Sequence, residues 1–293
     1  MPNPVAFIGL GIMGKPMAGH LLAAGLPLTV HSRTKSKADE LIARGAGWAD
    51  SPKDAAAQAD VVFICVTDTP DTQEVITGPR GIIHAAKPGM IVVDHSTISP
   101  EATRQLAAEL ARRGAHLLDA PVSGGDVGAR NATLWIMVGG DEEIFRVVLP
   151  VFGHMGKTIT YCGPSGAGQL TKLVNQILVS VTNLATCEAM IFARKNGLDL
   201  KRTIDAVAGG AAGSWQLANL GPRMAVGDYK PGFMVDLQQK DLRLVLQSAE
   251  QSHTSLPATS LVHQLFSSAQ AAGLGKAGTQ SLFTVLERLA SGS

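Results

Sequence analysis

The stretch Val5-Ala6-Phe7-Ile8-Gly9-Leu10-Gly11-Ile12-Met13-Gly14 decides the fold. Four apolar residues predict a buried strand, and Gly9, Gly11 and Gly14 form a Gly-x-Gly-x-x-Gly turn. A helix-compatible run follows, with Pro16 tolerated in its first turn. Gly9 permits the tight strand-to-helix turn, Gly11 lets a pyrophosphate approach the backbone, and Gly14 lets helix and strand pack closely. Unpaired N–H groups at the helix start then face an anion, with the helix dipole in their favour. The expected cofactor-binding residues of this turn are Gly9, Leu10, Gly11, Ile12, Met13 and Gly14. An ordinary glycine-rich βα turn would share the glycines, so the flanking strand and helix carry the distinction.

Outward from this turn, apolar runs at 28–31, 61–66, 91–94, 116–118 and 134–138 alternate with amphipathic patterns. Short β-branched runs in that rhythm predict βαβ units and a parallel sheet. Ser51-Pro52-Lys53-Asp54 and Ser99-Pro100-Glu101 read as capped helix starts. The character changes after Cys162-Gly163-Pro164-Ser165-Gly166. Residues 167–196 form one helical pattern with no Gly or Pro beyond Gly168 in its first turn, ended by Gly197. Further helical patterns cover 200–208, 216–225, 237–252 and 260–272, with no clear strand among them. The expected fold is an α/β Rossmann domain over 1–163, doubly wound around a mostly parallel sheet. An all-α domain over 164–293, expected to serve substrate binding and oligomerisation, follows through the long helix.

With 293 residues, 45% of them apolar and 17% charged, the chain can bury a large core. A net charge of +1 argues against an electrostatic grip on nucleic acid or a membrane surface. Cys65, Cys162 and Cys187 are widely spaced and form no metal or disulfide pattern, which suits a reducing compartment. Met1-Pro2-Asn3-Pro4 starts no export signal, so a cytoplasmic location is expected. The uncharged stretch 173–187 contains Asn175, Gln176, Ser180, Thr182 and Asn183, and reads as a buried helix rather than a membrane span. Buried packing against the same chain and pairing with a second copy both remain open for it.

The residues after the second strand choose between nucleotides. An NAD site wants an acid there for the ribose 2′-OH. His31-Ser32-Arg33-Thr34-Lys35-Ser36-Lys37 offers no carboxylate before Asp39. Arg33 brings a planar cationic fork suited to a 2′-phosphate, with the Ser32 and Thr34 hydroxyls beside it. NADPH is therefore the expected cofactor, with NAD the alternative and a solvated basic loop the bland one.

Three further segments interrupt apolar patterns with polar or permissive residues. Asp119-Ala120-Pro121-Val122-Ser123-Gly124-Gly125 follows a strand, where ligands of doubly wound sheets sit. Its Ser-Gly-Gly could present a hydroxyl and two N–H groups to a carboxylate, or serve only as a turn. In Gly166-Ala167-Gly168-Gln169-Leu170-Thr171-Lys172-Leu173-Val174-Asn175, Lys172 is the one charge between Tyr161 and Glu188. A buried ammonium costs several kcal/mol unless paired or hydrated, so it either has a task or snorkels from the first turn. Asn175, three residues on, shares its face. Lys240, at the third segment Pro231–Leu242, reads on spacing alone as a surface lysine.

Together the glycine turn, the 119–125 segment, the 166–175 segment and Lys240-Asp241-Leu242 resemble the four signatures of the β-hydroxyacid dehydrogenases, in that family's order. Gly209–Ser214 and Lys230-Pro231-Gly232-Phe233 are similar to its branch that reduces tartronate semialdehyde to D-glycerate. The resemblance implies that Ser123, Gly124 and Gly125 anchor the substrate carboxylate and that Lys172 is the catalytic general acid. It implies Asn175 beside the substrate, Lys240 as a further substrate and cofactor contact, and Thr97 against the cofactor. It also implies a homodimer or homotetramer acting on a small carboxylate substrate. Trp215 departs from the pattern, where relatives carry a smaller residue. Oxidation of 3-hydroxyisobutyrate and reduction of succinic semialdehyde are the alternatives within the class. A non-catalytic nucleotide-binding relative is the alternative outside it, and the presence of Lys172 speaks against that one.

Overall fold

The computed structural model describes residues 4–291; Met1-Pro2-Asn3, part of the segment read above for export signals, and residues 292–293 lie outside it. The chain forms two compact units, one ending at Lys172 and the other beginning at Leu173.

The first unit is built on a sheet of nine strands. They are β1 (Val5–Ile8), β2 (Leu28–His31), β3 (Gly47–Trp48), β4 (Val61–Ile64), β5 (Ile91–Asp94), β6 (His116–Asp119), β7 (Val122–Ser123), β8 (Leu134–Gly139) and β9 (Gly156–Gly163). Their order is β3-β2-β1-β4-β5-β6-β8-β7, with β9 pairing β8. All pairings are parallel except those of β8 with β6 and β7. Helices α1 (Gly14–Ala23), α2 (Asp39–Ala43), α3 (Pro52–Ala56), α4 (Thr69–Thr77), α5 (Pro100–Ala111), α6 (Gly125–Arg130) and α7 (Glu142–Phe152) connect the strands.

Strand alternation explains why both faces are covered. Val5 and Phe7 join Val61, Phe63 and Val93 in one core with Met17 and Leu21 of α1 and Phe145 and Phe152 of α7. Ala6 and Ile8 join Val62, Ile64 and Val92 in a second core with Ala55 of α3, Ile76 of α4 and Leu106 of α5. Successive side chains point to opposite faces, so a strand with helices on both sides must be apolar throughout. The register places Asp94 beside Asp119 at the carboxyl ends of β5 and β6.

Helix α8 (Ala167–Lys195) begins in the first unit and continues as the first element of the second, with Gly197 closing it at φ +74°. The second unit continues through α9 (Leu200–Val207), α10 (Trp215–Asn219), α11 (Gly221–Ala225), α12 (Val235–Gln251), α13 (Pro257–Ala271) and α14 (Leu282–Ser291). Its core gathers Leu184, Cys187 and Ile191 of α8 with Leu242, Phe266, Leu282 and Phe283. The single helix expected over 216–225 is instead two. Pro222, in the first turn of α11, has no N–H to continue the earlier ladder.

The expectation of a buried α8 holds for only part of its surface. Gln169, Lys172, Gln176, Ser180 and Asn183, within one helical stripe, are buried, whereas Leu170, Val174, Leu178 and Phe192 on the other side are exposed. By length and composition alone α8 would suffice to cross a membrane, half of its most apolar window being buried. Gln176 and Asn183 nonetheless donate to Asp241 Oδ2 and to the Thr279 carbonyl within the second unit.

Candidate active site

The glycine turn has the shape its sequence predicts. Gly9 adopts φ +99°, and a Cβ there would lie 2.2 Å from the Cys65 carbonyl oxygen. A Cβ on Gly14 would lie 1.9 Å from the Gly9 carbonyl oxygen, which fixes how closely α1 approaches β1. At Gly11 a Cβ would meet no atom within 4 Å, so the middle glycine faces open space. No side chain caps the start of α1. Its backbone N–H groups and that open face suit the pyrophosphate of a dinucleotide.

At the end of β2, a cleft of about 340 Å³ has Ser32, Arg33, Lys35, Trp48 and Arg80 in its walls, with Asp50 as the one acid lining it. Lys35 Nζ lies 5.5 Å from the centre of the Trp48 ring. Arg33 pairs with Asp71 at 3.1 Å while 83% exposed, and Thr34 is exposed beside it. Arg80 and Trp48 come from distant segments, and sequence reasoning missed both. The surplus of cations suits a phosphate.

The carboxylate of Asp119 organises the next part of the site. It accepts the Gly166 N–H at 2.8 Å and the Gln169 N–H at 2.9 Å, capping the start of α8 from the end of β6. Glycine at 168 is required by the same approach, since a Cβ there would stand 2.4 Å from the Met137 carbonyl oxygen. Gln169 then reaches back. Its Nε2 donates to the Ser96 carbonyl at 2.8 Å, and its Oε1 accepts the Ile98 N–H at 3.1 Å, bracketing Thr97. Lys172, one turn further along α8, is only 7% exposed. The snorkelling alternative therefore fails. Asp119 and Gln169 are the residues that hold this lysine's helix, and only their distant partners reveal it.

Ser123 ends β7 opposite Trp135 of β8, and Gly124 and Gly125 follow at φ +129° and +63°. Two successive positive φ values turn the backbone sharply into α6, and glycine suits both positions. Asp126 in the first turn of α6 is paired with Arg130 at 2.6 Å, so its charge is offset near Ser123. In the second unit, Lys240 is no surface lysine: its side chain is 12% exposed and its Nζ pairs with the buried Asp241 at 2.7 Å. Asn175 donates to Gln176 Oε1 at 2.8 Å. Trp215 stands 64% exposed at the start of α10. Among the described residues no group of His, Cys, Asp and Glu could hold a metal ion.

Two family models match the chain in succession. Residues 4–163 match the model of the NAD-binding domain of 6-phosphogluconate dehydrogenase, and residues 166–286 match that of NADP-dependent 3-hydroxyisobutyrate dehydrogenase. The chain belongs to the 3-hydroxyisobutyrate dehydrogenase family. It is 43% identical over 287 residues to the 2-hydroxy-3-oxopropionate reductase of Escherichia coli, covering 98% of each chain. An uncharacterised oxidoreductase of Bacillus subtilis is 43% identical over 283 residues, with 97% of this chain and 98% of that one covered. The solved 3-hydroxyisobutyrate dehydrogenase of Mycobacterium tuberculosis superposes with a TM-score of 0.90 at 32% identity, over 98% of this chain and 99% of that one. This family member is thus an NAD(P)-dependent oxidoreductase of the hydroxyacid dehydrogenase class.

Beneath the site this dehydrogenase carries two buried titratable neighbours. Burial pushes the Asp94 carboxyl up to about 7, helped by Asp119 alongside and opposed by hydrogen bonds from Ser96. Burial pushes His95 down to about 4. Its Nδ1 lies 2.7 Å from the Ala120 carbonyl, which can only accept, so Nδ1 carries the proton. The folded chain keeps a proton on Asp94 that the unfolded chain has lost, so this group's contribution to stability falls as pH rises from about 4 to about 7. For His95 the unfolded ring binds the proton instead, so its contribution rises between about 4 and 6.5. The two oppose each other. Replacing Asp94 by Asn removes the falling contribution alone, so the Tm of Asp94→Asn relative to the parent should climb steadily between pH 4.5 and 7. Thermal melts in which that difference stays flat with pH would contradict the assignment.

Proposed function

We propose that this chain reduces a short semialdehyde acid with NADPH, tartronate semialdehyde to D-glycerate foremost. The observation that carries this is a buried lysine, Lys172, on a helix whose start is held by Asp119. The cofactor, when bound, supplies a hydride to the aldehyde carbon. Ser123 Oγ–H and the N–H groups of Gly124 and Gly125 donate to the neighbouring carboxylate and orient the aldehyde. Lys172 Nζ gives its proton to the aldehyde oxygen as negative charge develops there. Its ammonium stabilises that oxygen before transfer is complete. Run in reverse, the neutral amine takes the hydroxyl proton. Asn175 and Lys240 are assigned to the same substrate, and Thr97 to the cofactor. The 43% identity to the Escherichia coli reductase supports this substrate class, and the likeness to the Mycobacterium tuberculosis enzyme supports 3-hydroxyisobutyrate oxidation as the second reading.

Lys172→Ala should leave NADPH binding intact and lower turnover at least ~10²-fold, as loss of a general acid does. Steady-state kinetics on tartronate, succinic and methylmalonate semialdehydes, with glycerate and 3-hydroxyisobutyrate in reverse, test both the lysine and the substrate. Turnover of none of them, or a near-normal alanine variant, removes the proposal.

The preference for NADPH is assigned to Arg33 with Ser32 and Thr34, supported by the cationic cleft at the end of β2. Arg33→Asp should move the ratio of kcat/KM for NADPH over NADH toward NADH by at least roughly tenfold, the loss of one charge-assisted contact. An unchanged ratio would overturn the assignment.

Self-association as a homodimer or homotetramer in the cytoplasm belongs to the same proposal. Its support is the exposed Val174, Leu178 and Phe192 on α8, on the side away from the helix's buried polar stripe. Light scattering after size exclusion should give a multiple of the 30.5 kDa chain mass, and Leu178→Glu should lower it. A monomeric parent would exclude this part.

A further inference from the structure

We propose that Gln176 and Asp241 are positioning residues that orient the Asn175 carboxamide and the Lys240 ammonium through one chain of two hydrogen bonds and an ion pair. The inference rests on the assignment of Asn175 and Lys240 to the reaction, and adds two residues to which neither the family models nor the glycine and lysine signatures give a role.

The chain of contacts lies wholly within the second unit. Lys240 Nζ pairs with Asp241 Oδ1 at 2.7 Å. Gln176 Nε2 donates to Asp241 Oδ2 at 2.5 Å. Asn175 Nδ2 donates to Gln176 Oε1 at 2.8 Å. Gln176 and Asp241 are each only 2% exposed, so water offers them little replacement for a lost partner.

The direction of this chain follows from elementary donor and acceptor counting. A carboxylate only accepts, and here one oxygen faces the ammonium as an ion pair while the other accepts an amide N–H. Gln176 must therefore turn its NH₂ toward Asp241, which leaves its carbonyl oxygen facing Asn175. Asn175 must in turn present its own NH₂ to that oxygen. Flipping either amide would set donor against donor or acceptor against acceptor. Asn175 is thus left with its carbonyl oxygen and one N–H for a small polar ligand, in a fixed sense.

The contact between Asn175 and Gln176 is itself unusual. Adjacent residues of a helix point about 100° apart and do not normally face each other. Asn175 therefore bends toward its neighbour, and that neighbour is held by Asp241. The same carboxylate fixes Lys240, so a single buried charge sets both polar groups. Asp241 is the anchor, and Gln176 carries its orientation one residue further.

Gln176→Leu keeps the volume and deletes both amide hydrogen bonds, while Lys240 retains Asp241. The expected result is a KM for the aldehyde raised roughly tenfold, the worth of one positioned hydrogen bond. The expected kcat stays within about threefold, and the Kd for NADPH, read by fluorescence titration, stays within about twofold. In an Asn175→Ala background the same substitution should add less than about twofold, because two residues acting through one contact are not additive. A wild-type KM in Gln176→Leu, or full multiplication of the two effects, would overturn the inference. A melting scan checks the fold, and Gln176→Met, unbranched and longer, repeats the test should the leucine variant unfold. Failure of the underlying assignment looks different: the parent enzyme would then reduce no semialdehyde acid, or Asn175→Ala alone would leave KM unchanged.

Discussion

A single buried carboxylate, that of Asp119, sets where the long helix begins. Burial raises its protonation point, while the N–H groups of Gly166 and Gln169 draw it back down. A charge removed from water is tolerated here because the first turn of a helix offers N–H groups that otherwise lack partners. Helix α8 is therefore capped by a residue 47 positions upstream rather than by its own flanking residue. Small residues make the approach feasible: a Cβ at Gly139 would sit 2.6 Å from the Gly168 nitrogen. Once the start is fixed, the helical repeat fixes the rest. Gln169 clamps the backbone on both sides of Thr97, and Lys172 follows one turn later in a buried position.

Much of the first unit was legible because its signals are local. Val5–Ile8 is apolar at every position since both faces of β1 are covered, and Ser51 and Ser99 cap their helices as their sequence context predicts. The strands that escaped notice depend on partners. β3 and β7 are two residues long, and β9 mixes polar and apolar residues that are mostly half-buried or exposed, so none shows an apolar run. Helix α14 was missed beyond the last pattern read, although Leu282 and Phe283 are fully buried. Of the site, Ser123, Lys172 and Lys240 could be singled out from sequence. The partners that hold them could not, because Asp119 and Gly166, Gln176 and Asp241, or Arg33 and Arg80 meet only after folding. Lys240 shows the limit most clearly: spacing made it a surface lysine, and its ion pair with Asp241 makes it an interior one.

The two ends of the expected chemistry use ion pairs in opposite ways. Arg33 and Asp71 form an exposed pair, which in water and salt is worth about 1 kcal/mol or less. Such a contact can be exchanged for a phosphate at little cost, while still biasing the guanidinium toward one region. Lys240 and Asp241 form a buried pair. Removing one member of such a pair leaves an uncompensated charge and costs about 3–5 kcal/mol. Exposure thus separates a cation free to change partners from one whose position is part of the fold.

Helix α8 inverts the usual pattern along its first five turns. Apart from Leu173, its large buried side chains there are polar, from Gln169 through Lys172, Gln176 and Ser180 to Asn183, and they become apolar at Leu184, Cys187 and Ile191. Each buried polar group on that stripe must have its partners, since an unsatisfied one costs about 1–3 kcal/mol. Gln169 and Gln176 meet that condition with the Ser96–Ile98 backbone and with Asp241 and Asn175, while Asn183 donates to the Thr279 carbonyl and leaves its buried Oδ1 without a donor. Packing alone could have filled the same space with leucine at no such risk. A polar interior therefore has to be explained by what it holds in place. On this helix that is an ammonium at 172 and a carboxamide at 175, with a counted set of hydrogen bonds beneath them.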